Sequence, residues 1–159
     1  MSMSTEVAVR AAMAEDVTSL VLLMQEFYAE SGYQLDSQWA TTSFVALLSE
    51  PDWGCIWLAH SGGQPIGHLV LSVRYTMEHG GLSGYVDDLF VRPSFRRKGV
   101  AHALLHALFE DCHARGCRSV QVEVDSANAA ALGLYAKFGL IPHDDGRLLL
   151  AVALPDARA

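Results

Sequence analysis

The stretch VDDLFVRPSFRRKGVA, Val86–Ala101, joins a strand pattern to a helix start through a basic, glycine-broken loop. Apolar and polar residues alternate across YVDDLFV, which predicts a strand. After the loop, Ala101, Leu104, Leu105, Leu108 and Cys112 recur at helical spacing, which predicts a long helix over about Lys98–Arg115, closed by Gly116. The next segment, SVQVEVD, is again β-branched and alternating. A strand, a helix and a strand in that order imply a right-handed crossover between two parallel strands.

The remaining elements extend outward from this unit. Upstream, TEVAVRAA (5–12) is a first strand. DVTSLVLLMQEFYAESG is a helix with Asp16 as its cap, and about Asp36–Ser49 forms a second helix stopped by Pro51. CIWLAH and IGHLVLSVRYT flank the turn SGGQP and form a hairpin, followed by a flexible HGGLSG connection. Downstream, NAAALGLYAKF is a helix closed by Gly139, and LLLAVAL is a last strand. The fold class is therefore mixed α/β, with helices packed on a sheet that is not a strict βαβ series.

Composition narrows the function classes. The 159 residues fit one domain, with a folded core of about 5–154, and 51% are hydrophobic, enough for one core. The net charge is 11 − 18 = −7, which argues against nucleic acid as a partner. Even so, Arg92, Arg96, Arg97 and Lys98 are four of the eleven cations, gathered into seven positions. The three cysteines, Cys55, Cys112 and Cys117, are odd in number and have no zinc-type spacing, so free thiols in a cytoplasmic protein are expected. No basic-then-apolar leader opens the chain, and no apolar run is long enough to span a bilayer, so no membrane role is expected.

Three features carry chemistry. In RRKGVA, the first N–H groups of the helix have no internal partner and sit at its positive end, where a pyrophosphate fits. The glycine spacing is neither that of the nucleotide P-loop nor that of the dinucleotide fingerprint. Taken alone, a solvated basic turn explains the loop equally well. Asp87 and Asp88 fall on opposite faces of an unbulged strand, so only one of them faces a cleft unless a bulge intervenes. Asn128 and Tyr135, seven apart, share a helix face; a capping Asn and a core Tyr are the plain alternatives.

Together these residues resemble the GNAT superfamily of acyl-CoA-dependent N-acetyltransferases. The likeness spans nearly the whole chain in element order and is most specific in DDLFVRPSFRRKGVAHALL and NAAALGLYAKFGL. Ala101 stands where glycine is commoner. The resemblance implies a central mixed, mostly antiparallel sheet with a splayed parallel strand pair and helices on both faces. It implies acetyl-CoA as co-substrate and no metal. The backbone of Leu89, Phe90 and Val91 would pair with the pantetheine arm. Arg96, Arg97, Lys98, Gly99, Val100, Ala101 and His102 would hold the pyrophosphate. Asn128 would touch the cofactor arm, and Tyr135 would stand near the thioester sulfur as proton donor. Within the superfamily, the acidic pair is most similar to the polyamine and diamine acetyltransferase branch, in which the acid matching Asp87 is the usual base; Asp88 is the second candidate. A homodimer is the family expectation.

The first two helices would form the acceptor wall. They carry Glu26, Glu30, Asp36, Tyr28 and Tyr33 and no Lys or Arg, which suits a cationic amine, with Tyr28 and Glu30 as substrate contacts beside Asp87 and Asp88. Polyamines, diamines, basic amino acids, aminoglycosides and a peptide N-terminus all remain open, as does a non-catalytic acyl-CoA-binding module. His102, His106 and His113 fall on the polar stripe of the long helix, so solvent is their expected environment rather than a metal. Trp39, Trp53 and Trp57 are expected in the core or at its rim.

Overall fold

The computed structural model describes residues 6–143 and 145–155. The chain divides into two compact units, one ending at Asp125 and the other beginning at Ser126. The first unit holds a five-stranded sheet in sequential order. Its strands are β1 (Val7–Ala11), β2 (Gly54–Ser61), β3 (Gln64–Thr76), β4 (Gly81–Val91) and β5 (Ser119–Val122). All pairs are antiparallel except β4 with β5, which is parallel, as the crossover argument requires.

Helix α1 (Val17–Glu30) and helix α2 (Ser37–Ser49) cover one sheet face. Leu20, Leu23, Ala40 and Phe44 bury there against Ile56, Leu58, Val70 and Phe90. Asp36 starts α2 by accepting the N–H groups of Gln38 and Trp39 at 2.8 and 3.2 Å. Helix α3 (Val100–Arg115) packs against β1–β4 through Leu104, Leu105, Leu108 and Cys112. It lies on the other face, because Leu71, which alternates with Val70, meets Cys112 around Gly84. A Cβ added at Gly84 would stand 2.7 Å from Cys112 Sγ and 3.1 Å from Leu71 Cδ1, so only glycine admits the helix this close. Among the described residues, no helix is long and apolar enough to cross a membrane.

Several boundaries differ from those expected. The HGGLSG connection is largely strand, because β4 begins at Gly81 and pairs with Thr76. Asp16 does not cap α1; its carboxylate takes the Met13 N–H at 2.7 Å and both Arg10 terminal nitrogens at 2.7 and 2.9 Å. Helix α3 starts at Val100 rather than Lys98, because Arg97 (φ 60°) and Gly99 (φ 83°) are left-handed. Trp57 is buried, whereas Trp39 and Trp53 are exposed. His102, His106 and His113 are exposed on α3 as expected.

The second unit contains helix α4 (Ala129–Ala136), capped by Asn128 Oδ1 accepting the Ala131 N–H at 3.1 Å. LLLAVAL is not a strand. A strand exists only through hydrogen bonds to a neighbour, and among the described residues this segment has no strand partner. Its Leu148, Leu149, Leu150, Val152 and Leu154 are 76–86% exposed.

Candidate active site

The acidic end of the opening stretch is set by a register shift. On β3, Val70 pairs with Asp88 and Leu71 pairs with Val86, so Asp87 is the extra residue of a β-bulge. Strict alternation breaks at that point, and both carboxylates act on one neighbour: the charges of Asp88 and Asp87, after burial, raise the pKa of the Tyr28 phenol on α1. Asp88 is half-buried and Asp87 exposed. Burial, and then the charge of Asp87, push the Asp88 carboxyl up to about 7. Partial burial, and then Glu123, push Asp87 up as well. Glu123 also hydrogen-bonds the Tyr85 hydroxyl and raises its pKa, although desolvation of that phenol is the larger cause. Glu123 is a third acid of this cluster that the sequence reading missed. It sits immediately after β5, and only the parallel pairing carries it to Asp87.

The β4–β5 pairing ends at Val86–Val122, while β4 continues to Val91. Leu89, Phe90 and Val91 therefore present their β5-side backbone edge to no strand of this sheet. An extended amide-bearing chain pairs with such an edge.

At the basic end, the left-handed residues Arg97 and Gly99 bracket Lys98 and turn the chain into α3. The first helical hydrogen bond of α3 runs from Ala103 N–H to Gly99 O at 3.0 Å, so the N–H groups of Gly99, Val100 and Ala101 precede it. Nothing lies within 4 Å of a Cβ placed on Gly99, which leaves the approach to that turn open. This turn fits a pyrophosphate, since it combines helix-end N–H groups, alternating backbone hand and local positive charge. The Lys98 ammonium lies 5.7 Å from the Phe95 ring.

Arg96 and Glu30 are bound to each other, at 2.5 Å. Arg96 also donates to Val91 O at 2.8 Å and lies 5.7 Å from the Phe90 ring centroid. Four residues earlier on each segment, Arg92 pairs with Glu26 at 2.8 Å. These two clips tie the last turns of α1 to the chain leaving β4. The arrangement works because 26 and 30 share a helix face, as residues i and i+4 do.

In the second unit, Tyr135 is buried, and burial pushes its phenol up to about 12.

Comparison with known proteins gives the same architecture. An integron cassette protein from the mobile metagenome of Cole Harbour Salt Marsh is 42% identical, with a TM-score of 0.82 over 92% of this chain and 90% of that one. A predicted acetyltransferase from Clostridium acetobutylicum, solved with acetyl-CoA, is 20% identical, with a TM-score of 0.76 over 92% and 96% of the two chains. An aminoglycoside N-acetyltransferase in complex with CoA is 18% identical, with a TM-score of 0.81 over 96% and 98%. At those two identities the likeness is one of fold. Residues 17–140 match the acetyltransferase (GNAT) family, and on that span the chain belongs to the GNAT acyl-CoA-dependent N-acetyltransferases.

Proposed function

We propose that the protein transfers the acetyl group of acetyl-CoA to the nitrogen of a small primary amine that is cationic in solution, with Asp88 taking the amine proton. The observation that carries this reading is the bulge at Asp87, which gathers two carboxylates next to the open edge of β4. A lysine-like ammonium has a pKa of about 10.4 and must lose a proton before its nitrogen can attack. A carboxyl poised at about 7 is partly ionised at neutral pH and strong enough as a base to accept that proton, directly or through one water. Asp87, more exposed, draws the cation in and holds the Asp88 pKa up. The likeness of the acidic pair to the polyamine and diamine branch supports a small cationic acceptor.

Acetyl-CoA supplies the activated acyl thioester. The backbone of Leu89, Phe90 and Val91 orients its extended arm, and the N–H groups of Arg97 to Ala101 and of His102, with Lys98, hold its phosphates. Tyr135 and Asn128 take their roles from the family pattern of their segment. On ordinary pKa values, about 10 against about 8.5, full transfer of the Tyr135 proton to the departing thiolate is uphill by about 2 kcal/mol, and burial, which raises the phenol, raises a thiol beside it as well. It therefore acts as a hydrogen-bond donor to the departing sulfur.

The test follows free-thiol release from acetyl-CoA with a panel of amines. Asp88→Asn should lower kcat/KM by about 10²–10⁴-fold, in the range of a lost general base, and remove the rise of kcat/KM through about pH 7. Acetyl-CoA affinity should hold. An Asp88→Asn enzyme with the wild-type pH profile would remove Asp88 as the base. Tight acetyl-CoA binding without thiol release from any amine would favour the non-catalytic module.

A further inference from the structure

The acids of the acceptor wall are already engaged. Four carboxylates lie between Asp16 and Ser49. Asp16 is held by Arg10, Glu26 by Arg92 and Glu30 by Arg96. Asp36 caps α2. Each of these four carboxylates thus already has a partner in the fold, although Glu26 and Glu30 hold theirs at the surface.

Glu123 stands beside Asp87 on the β5 side of the carboxylate pair, whereas the α1 side, toward Tyr28, is neutral. At the end of α1 an open hollow of about 450 Å³ is lined by Phe27, Tyr28, Ser31, Tyr33 and Gln34. None of these is charged at neutral pH. Phe27 packs its ring 5.6 Å from both Tyr28 and Phe90, which fixes the floor of the hollow. Tyr33 is 69% exposed and leaves a ring face available. Tyr28 belongs to both places: it lines the hollow, and its phenol lies within electrostatic reach of Asp88 and Asp87. An ammonium held at the carboxylates therefore directs the rest of its molecule along Tyr28 into the hollow. A second ammonium there meets no charged lining residue, and Glu26 and Glu30 each already hold an arginine, in exposed pairs that contribute about 0–1 kcal/mol apiece. An aromatic ring needs no counter-charge and buries apolar surface against Tyr28 and Tyr33.

We propose that the acceptor is a monoamine with a short linker to a neutral aromatic ring, its single ammonium at Asp88 and Asp87 and its ring in the hollow between Tyr28 and Tyr33. Ser31 and Gln34 would serve a hydroxyl on that ring. This rests on the acetyltransferase reading above and narrows its substrate.

The experiment compares kcat/KM for 2-phenylethylamine and tyramine with that for putrescine, spermidine and kanamycin, by thiol release, alongside calorimetric binding of acetyl-CoA. The arylalkylamines should exceed the polycations by about 10-fold or more, the discrimination that one well-filled apolar subsite supplies. Tyr33→Ala, at an exposed position where folding is safe, should raise KM for 2-phenylethylamine several-fold with little change in kcat. Polycations turned over as well as or better than arylalkylamines would overturn the inference and leave the acetyltransferase reading standing, as would an unmoved KM in Tyr33→Ala. Acetyl-CoA binding with no thiol release from any of the five amines would overturn both.

Discussion

His68 is buried in the sheet core with no hydrogen-bond partner for either ring nitrogen among the described residues, and this sets a measurable pH dependence. Its neighbours are Phe44 on α2, at a ring distance of 6.2 Å, Phe90 on β4, at 6.3 Å, and Leu58, its register partner on β2. None carries charge, and burial alone brings the imidazole down to about 4. In the unfolded chain the same group titrates near 6.5. Between those values the unfolded state binds a proton that the folded state refuses, so the contribution of His68 is complete above pH 7 and falls as the pH drops toward 4. From pH 7.5 to 5.0 the loss is about 2 kcal/mol.

Asp88 runs the opposite way. Its folded pKa of about 7 lies above the ordinary 3.8, so its contribution grows as the pH falls through 7. Over the same interval that gain is about 2.5 kcal/mol. The two titrations offset each other, and wild type should show a nearly flat stability between pH 7.5 and 5.0 from this pair. The perturbation is His68→Leu, close in volume and without polar atoms. At pH 7.5 the variant should be more stable by about 1 kcal/mol or more, since two unsatisfied nitrogens are gone. At pH 5.0 its advantage over wild type should widen by about 2 kcal/mol, because wild type alone loses the His68 contribution while the Asp88 gain is common to both. Urea denaturation at both pH values, read at constant m-value, measures the difference. An advantage of the same size at both pH values would refute the argument that His68 is buried neutral.

Other consequences are equally direct. Gly84→Ala drives a Cβ into Cys112 and Leu71 and should cost about 1–3 kcal/mol; thermal melts should show Cys112→Ala recovering much of it. Gly99→Ala meets no neighbour but is forced to a φ of +83°, so it should cost about 1–2 kcal/mol of strain and weaken acetyl-CoA binding by calorimetry. The Asp16 carboxyl is lowered to about 2, chiefly by the hydrogen bond from Arg10, so its contribution is present above about pH 4 and lost as the pH falls through 2. Asp16→Asn should lower the urea midpoint at pH 7 and flatten that acid limb.

Local pattern alone determined much of this protein. It set the five strands and α1, α2 and α3 to within a few residues, but it also drew a strand at LLLAVAL that the described residues do not form. Short-range chemistry placed Asp36 and Asn128 at helix starts and Gly116 at a helix end. The basic turn into α3 was legible because a helix N-terminus has the same free N–H groups in any context. Only the tertiary structure decided the rest, because each remaining feature depends on residues far apart in the chain. The bulge at Asp87 arises from β4 pairing with β3, and that shift puts two adjacent acids at one site. Glu30 reads as a substrate acid until the fold brings Arg96 to it across 66 positions. His68 reads as a strand residue until three elements close over it and exclude water. Periodicity says which way a side chain turns, but the charge it meets there is set by a different segment, and a local pattern carries no information about that partner.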